Sequence, residues 1–341
     1  MTQRATPDFS LLLTPQEDFP NLVKCAVASK ETQAPRIDLL FVRFNEDRPD
    51  EHGLAEVVYH QVVNYALPRR KIAELLSKCR PGAIDFSPHS KLLAEARRAF
   101  ISYNSSTIDK EPKEKKTKRK KPPANTRYAE IGEVVAFCVA SHFLSAGQVA
   151  AKMALKTNSE MPVFGLDGIH VRSEPDGSVT VFFLEAKMVG DAKSGAKQYS
   201  KSAGGFDKDR AHKLNEQRIA RDLSNLDILE SAARESAIEY FDPYSEKQAN
   251  LRERFVGVII YSEPAYCEKL PITDATPLNA HEENFAKNYQ ATHPGLCKDL
   301  NAALSKAGAE PGRCRAFFLA VPNVDHLKQL FAKEMTGEHI R

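Results

Sequence analysis

Asp167, Glu185 and Lys187, two carboxylates and an ammonium, stand where one short β-hairpin would gather them. The runs Gly165-Leu-Asp-Gly-Ile-His-Val-Arg172 and Val179-Thr-Val-Phe-Phe-Leu-Glu-Ala-Lys187 have strand character, and Ser-Glu-Pro-Asp-Gly-Ser separates them. Pro175-Asp176-Gly177 is turn chemistry, because proline presets φ and glycine accepts φ > 0. A hairpin symmetric about Asp176 sets Asp167 opposite Glu185 and Ile169 opposite Phe183. Side chains alternate along a strand, so Asp167, Glu185 and Lys187 then share one face. That set suits divalent-metal phosphodiester chemistry. His170 falls on the other face, which predicts a structural role for it.

Glu-x-Lys alone carries little information. It occurs at Glu111-Pro-Lys113, Glu114-Lys-Lys116 and Glu185-Ala-Lys187. The first two sit in a run of charge and read as solvated. The third emerges from Val-Phe-Phe-Leu, where charges are costly unless paired or bound to an ion. A strand end reaching solvent with an ordinary ion pair is the competing reading. A third acid is expected on the preceding helix, where Glu130 and Glu133 are neighbours on one face. Both stay open as candidates. Glu133 borders the apolar stripe Ile131, Val134, Val135, Cys138 and Val139, which favours it for the sheet-facing role. The alternative is that both are first-turn acids favoured by the helix dipole.

The elements that must position these groups read as α/β. Ile37–Phe44 suits a strand, and Leu54–Ala66, Ile72–Cys79 and Leu92–Ile101 have helical spacing. Tyr128–Leu144 reads as a strong helix ahead of the hairpin, and Gly190–Gly205 is a Gly/Ser/Lys-rich stretch. The polar segment Asp207–Tyr240 has helical composition. Phe255–Tyr261 and Ala316–Val321 are continuous apolar runs, as in strands buried on both faces. Helical patterns at Glu282–Thr292, Leu296–Ala307 and Asp325–Lys333 alternate with them. Such alternation implies helices around a central mixed sheet.

The 341 residues carry a formal charge of +3, which conceals an asymmetry. Lys110–Lys121 holds eight basic and two acidic residues, leaving the rest of the chain at −3. This segment has no apolar residue to bury and reads as a flexible linker or loop. Lys118, Arg119 and Lys120 within it are candidates for nucleic-acid contact, against the plainer reading of a solvated insertion. The division expected is 1–109 as an N-terminal α+β region, 110–126 as the linker, and 127–341 as the catalytic domain. Six scattered cysteines without a C-x-x-C pair argue against zinc or a disulfide framework. No stretch is long and apolar enough for a membrane span and no signal peptide is apparent, so a cytoplasmic protein is expected. The phosphate-loop pattern Gly-x-x-x-x-Gly-Lys-Ser/Thr is missing, which excludes ATP hydrolysis by that route.

The helical Glu, then Asp167, then 17 residues before Glu185-Ala-Lys187, resembles the PD-(D/E)XK nuclease superfamily. The surrounding words are similar to the HamA family, the nuclease-like subunits of Hachiman anti-phage defence. Arg127-Tyr-Ala-Glu-Ile-Gly-Glu133, Phe164-Gly-Leu-Asp-Gly168, Phe183-Leu-Glu-Ala-Lys187 and Phe317-Phe-Leu-Ala-Val-Pro322 carry that likeness. It covers residues 127–341 well and the first hundred loosely. Leu166 stands where many superfamily members have proline, a position that shapes the backbone only. The resemblance implies a restriction-endonuclease-like core, a mixed central sheet flanked by helices, with an N-terminal α+β extension. It implies Asp167 and Glu185 as Mg²⁺ ligands, with Mn²⁺ able to substitute and Glu133 completing or supporting the metal site. Lys187 would hold the attacking water, and the Ala186 carbonyl could add a ligand. Downstream, Lys193, Lys197, Gln198 and Lys201 lie where DNA phosphates could be met, although a solvated loop fits equally. The implied function is a DNase working with a HamB-like helicase as a heterodimer. A subunit that keeps the fold and binds DNA or a partner without cutting is the rival.

Overall fold

The computed structural model describes residues 7–79, 85–109, 130–155, 166–222, 225–268 and 270–337. The basic segment 110–126, with Lys118, Arg119 and Lys120, lies outside the described residues. The strands are β1 (Val23–Val27), β2 (Arg36–Val42), β3 (Phe44–Asn45), β4 (Arg48–Pro49), β5 (Gly147–Gln148), β6 (Gly168–Ser173), β7 (Val179–Val189), β8 (Leu251–Ser262) and β9 (Cys314–Val321). The N-terminal helices are α1 (Phe19–Leu22), α2 (Glu51–His60), α3 (Val62–Ala66), α4 (Arg69–Leu76) and α5 (Ser87–Asp109). Before the hairpin come α6 (Ile131–Phe143) and α7 (Lys152–Leu155). After it come α8 (Ala192–Lys208), α9 (Arg210–Asp222) and α10 (Ser231–Tyr240), then α11 (Ala280–Ala307) and α12 (Val324–Thr336) on either side of β9.

A seven-stranded mixed sheet runs β1-β2-β9-β8-β7-β6-β5, with β3 and β4 a separate ribbon. Neighbours from β2 through β9 and β8 to β7 are parallel, and the outer pairs are antiparallel. β8 is buried from Phe255 to Tyr261 and β9 throughout except Arg315, which explains their unbroken apolar runs. Two layers of helices cover the sheet. On one face α6 packs its Phe137 on His170, its Phe143 on Phe317, and its Gly132 on Ala186 and Met188. On the other, α8 sets Phe206 against Phe183 and Phe255, while Tyr289 of α11 donates to the Phe318 carbonyl. The α/β architecture with a mixed central sheet is the one anticipated.

Residues before 110 are not a separate body appended to this core. β2 pairs in parallel with β9, and Leu39, Leu40 and Phe41 join the same hydrophobic cluster as Phe317 and Phe318. The expected boundary at 109 therefore cuts one continuous core.

Two local departures have clear causes. The Gly/Ser/Lys-rich stretch after the hairpin is helix α8, opened by Asp191 accepting from the Ser194 N–H at 2.8 Å. Its glycines allow close packing: a Cβ on Gly195 would lie 2.3 Å from Ile259 Cγ2, and one on Gly204 would lie 2.4 Å from the Ala307 carbonyl oxygen. The helical patterns Glu282–Thr292 and Leu296–Ala307 form one helix, α11, which continues through Pro294. Buried Phe285 and Tyr289 before the proline, and Leu296, Leu300 and Leu304 after it, hold one helix together.

Candidate functional site

The hairpin forms with the register its turn dictates. Ile169 partners Phe183, Gly168 partners Leu184, and Gly177 takes φ +81° in the turn. One residue beyond, the ladder departs from symmetry. The Asp167 N–H donates to the Leu184 carbonyl at 2.9 Å, and Asp167 Oδ2 accepts the Ala186 N–H at 2.7 Å. Asp167 thus does not sit squarely opposite Glu185. It meets the backbone between Glu185 and Lys187, with its carboxylate replacing a ladder carbonyl.

Glu185 and Lys187 are two apart on β7 and leave the sheet on the α8 face. Lys187 Nζ donates to Glu185 Oε1 at 2.5 Å, and Ser202 Oγ of α8 donates to the same oxygen at 3.0 Å. The Lys187 side chain keeps 23% exposure and that of Glu185 11%, so solvent reaches the lysine. Ser202 carries no motif in the sequence; only the amphipathic spacing of α8 could have placed it here.

Glu133 sits elsewhere. Gly132 packs on Ala186 and Met188, the residues of β7 that face away from Glu185 and Lys187. The buried Tyr65 hydroxyl of α3 donates to Glu133 Oε2. Burial above all, then the charges of Glu133, Asp167 and Glu130, holds the Tyr65 phenol well above its ordinary pKa, so it stays a donor. Glu130 is the buried N-cap residue of α6 and its carbonyl accepts from the Glu133 and Val134 N–H groups. Asp167 therefore stands between two groups: Tyr65 with the helix acids, and Glu185 with Lys187. Tyr65 escaped sequence reasoning because it lies in a helix of the N-terminal region.

Asp167 and Glu185 offer oxygen donors alone, which suits Mg²⁺; that ion takes one or two carboxylates and retains waters. Among the described residues, no three His, Cys, Asp or Glu side chains form a group able to hold a metal ion.

Lys193, Lys197, Gln198 and Lys201 come together, lining a cavity of about 1020 Å³ between α8 and α11. Lys208 and Lys306 extend the basic lining, against one acid, Asp299. Residues four apart share a helix face, so the lysine spacing on α8 makes a row. His170 behaves as anticipated: it is buried among apolar groups, and burial followed by the Arg69 charge pushes its pKa down to about 3.

Among the described residues no helix is long and apolar enough to cross a membrane. No curated protein matches the sequence. The HamA family model matches residues 17–335, and the chain belongs to that family, which places it among the subunits of Hachiman anti-phage defence.

Proposed function

We propose that the chain is a Mg²⁺-dependent DNA nuclease, the effector of a defence complex that includes a HamB-like helicase. The observation that carries this reading is the Asp167 carboxylate bonded to the Ala186 N–H, between Glu185 and Lys187 on one strand. Asp167 and Glu185 would hold Mg²⁺, or Mn²⁺ in its place. Bound there, the ion would supply Lewis-acid activation of water and neutralise charge on a phosphate. Lys187 is the group that orients the water and offsets charge developing on the scissile phosphate. Ser202 and Lys187 together fix the Glu185 carboxylate, so its orientation is set before substrate arrives. The lysine row on α8 gives a phosphate track on the same helix as Ser202.

The family and what the chain lacks in sequence support a helicase partner. It has no phosphate-loop motif, so motion along DNA must come from a partner. An unregulated, sequence-indifferent DNase would also kill its host. A heterodimer in which the helicase restrains and then feeds this subunit answers both needs.

A second reading has its own support. The closed Lys187–Glu185 pair, with no three-acid group among the described residues, also suits a silent subunit that binds DNA or a partner. Supercoiled plasmid, incubated with the purified chain plus and minus its neighbouring helicase, ATP and Mg²⁺, separates the two. Nicking or linearisation that needs Mg²⁺ and is lost in Lys187→Ala supports the nuclease. A folded complex that never cuts, or a Lys187→Ala protein that cuts normally, refutes it. Separate elution of the two proteins at micromolar concentration, with cutting indifferent to the helicase, removes the complex alone.

A further inference from the structure

Five arginines gather at the other end of the sheet from Lys187, around a pocket of about 260 Å³. Their convergence follows from register. Arg36 of β2 partners Arg315 of β9, Arg172 of β6 partners Thr180 of β7, and Thr180 in turn partners Arg252 of β8. Arg254 lies two residues along from Arg252, so both leave the same face. That face is the one α6 covers. Helix α6 ends here, with Phe143 on Phe317 and the Leu144 carbonyl accepting from Arg172 Nη1 at 2.8 Å. Beyond the helix terminus the five guanidinium groups line a recess over the buried Thr180 and Phe182, with Glu31 and Glu174 at its wall.

Three of the five are neutralised. Arg172 pairs with Glu174 at 2.8 Å, Arg315 with Asp38 at 2.7 Å, and Arg252 with Asp176. Arg36 and Arg254 are not. Among the described residues neither has a carboxylate within ion-pair distance. Arg36 Nε reaches only the Ser29 hydroxyl at 3.4 Å, and Arg254 Nη1 only the adjacent Glu253 carbonyl at 2.8 Å. Both are half-buried, and burial acts first to lower their pKa values. Arg315 and, less, Arg172 add repulsion on Arg36, opposed by Asp38 and Glu31; Arg252 and Arg313 add it on Arg254, opposed by Glu174. Two partly desolvated cations held beside like charges form a site that an anion would complete. The planar guanidinium matches tetrahedral oxyanions through paired N–H donors. At about 30 Å³ per water, the recess has room for about nine waters, enough for one or two phosphate groups but not an enclosed nucleoside.

We propose that this pocket is a phosphate-binding site, with Arg36 and Arg254 as the groups that seize a phosphate or diphosphate. It is distinct from the site of Asp167, Glu185 and Lys187. Thr180 lies five residues from Glu185 along β7, roughly 17 Å at about 3.3 Å per residue, and faces the other side of the sheet. The phosphate could belong to a small molecule or to a nucleic-acid backbone, and one set of proteins tells these apart.

The test compares the full chain with Arg36→Gln/Arg254→Gln and with Arg254→Lys, by calorimetric titration and thermal melting in inorganic phosphate and diphosphate. Chloride is used to match ionic strength. The wild type should take up diphosphate, with Tm rising by about 2 °C at tenfold excess over Kd. The Gln pair should lose both effects while keeping its circular dichroism. Arg254→Lys, which keeps charge without the paired donors, should bind at least fivefold more weakly and guards against misfolding of the pair. Oligonucleotide binding over a salt series identifies the source. A salt slope reduced by about two in the Gln pair means backbone phosphates, and an unchanged slope beside lost diphosphate binding means a small phosphorylated molecule. Two results overturn the proposal: a wild type that binds neither diphosphate nor oligonucleotide, or folded variants that bind both as well as the wild type.

Discussion

Lys152 and Glu216 meet at 2.6 Å with their side chains 1% and 0% exposed, and between them they hold both polar backbone groups of Leu166. Lys152 Nζ donates to the Leu166 carbonyl at 2.6 Å, and the Leu166 N–H donates to Glu216 Oε1 at 3.2 Å. A buried ion pair in place of apolar packing is an expensive way to fix a loop. The residue it fixes is the one before Asp167. We read the pair as a clamp that aims the Asp167 carboxylate at the β7 backbone.

The clamp predicts a separation of stability from metal affinity. Lys152→Met or Glu216→Gln alone should destabilise the fold by about 3–5 kcal/mol, because each strands a buried partner. Lys152→Met/Glu216→Leu removes both charges and should recover most of that loss in urea titrations. Leu166 would still lack its partners, so Mn²⁺ affinity should fall by about 10–100-fold, as when outer support of a metal ligand is removed. Native metal affinity in the stable double variant would show that Asp167 needs no clamp.

Tyr65 and Glu133 define the second prediction. If the Tyr65 hydroxyl makes Glu133 a packing partner and not a metal ligand, Glu133→Gln should keep cutting within about tenfold. Glu185→Gln, by contrast, should lose about a thousandfold or more. Tyr65→Phe should cost about 1–3 kcal/mol, since it strips a donor from a partly buried carboxylate. Equal losses of cutting in Glu133→Gln and Glu185→Gln would return Glu133 to the metal site.

The hairpin was legible because its turn chemistry and its strand pattern agree, and the Ile169–Phe183 register followed from counting alone. The lysine row was legible as residues but not as a surface, since its glycines hid a helix that needs Gly195 and Gly204 for close packing. The slip at Asp167 was not legible. A side chain that substitutes for a ladder carbonyl leaves no mark on alternation. Nor could the chain order show that β2 inserts beside β9, bringing Arg36 next to Arg315 across 279 positions of sequence. Parallel pairing between distant runs is decided by the whole sheet, and local pattern carries no trace of it.

His170 yields a pH prediction whose sign is fixed. Its folded pKa, about 3, lies below the ordinary value of 6.5, so the unfolded chain binds the extra proton first. The stability held by the neutral imidazole is complete above about pH 6.5 and is lost as pH falls toward 3. Within that window the slope from this one group is about 1.4 kcal/mol per pH unit. Carboxylates titrate there too, so the readout is a difference: urea midpoints of wild type and His170→Leu between pH 6.5 and 4. The variant should lose stability less steeply by about that slope. Parallel curves would mean that the ring protonates in place without penalty.

The lysine groove gives the last prediction, and Lys208 supplies its internal control. Lys193, Lys197 and Lys201 line the cavity from successive turns of α8, while Lys208 Nζ is engaged by the Ala307 carbonyl at 2.8 Å. If the row tracks a phosphate backbone, each lysine that meets a phosphate displaces about 0.9 of a counterion on duplex DNA. Lys193→Gln/Lys197→Gln/Lys201→Gln should then lower the slope of log K against log salt by about three, with little loss of stability, because these side chains lie at the surface. Lys208→Gln should behave oppositely, lowering thermal stability through the lost bond at the end of α11 and leaving the salt slope within about half a unit. The assay is fluorescence anisotropy of a labelled duplex over a salt series, read beside melting curves of the same proteins. An unchanged slope in the triple variant would take DNA out of this groove, whatever the nuclease assay shows.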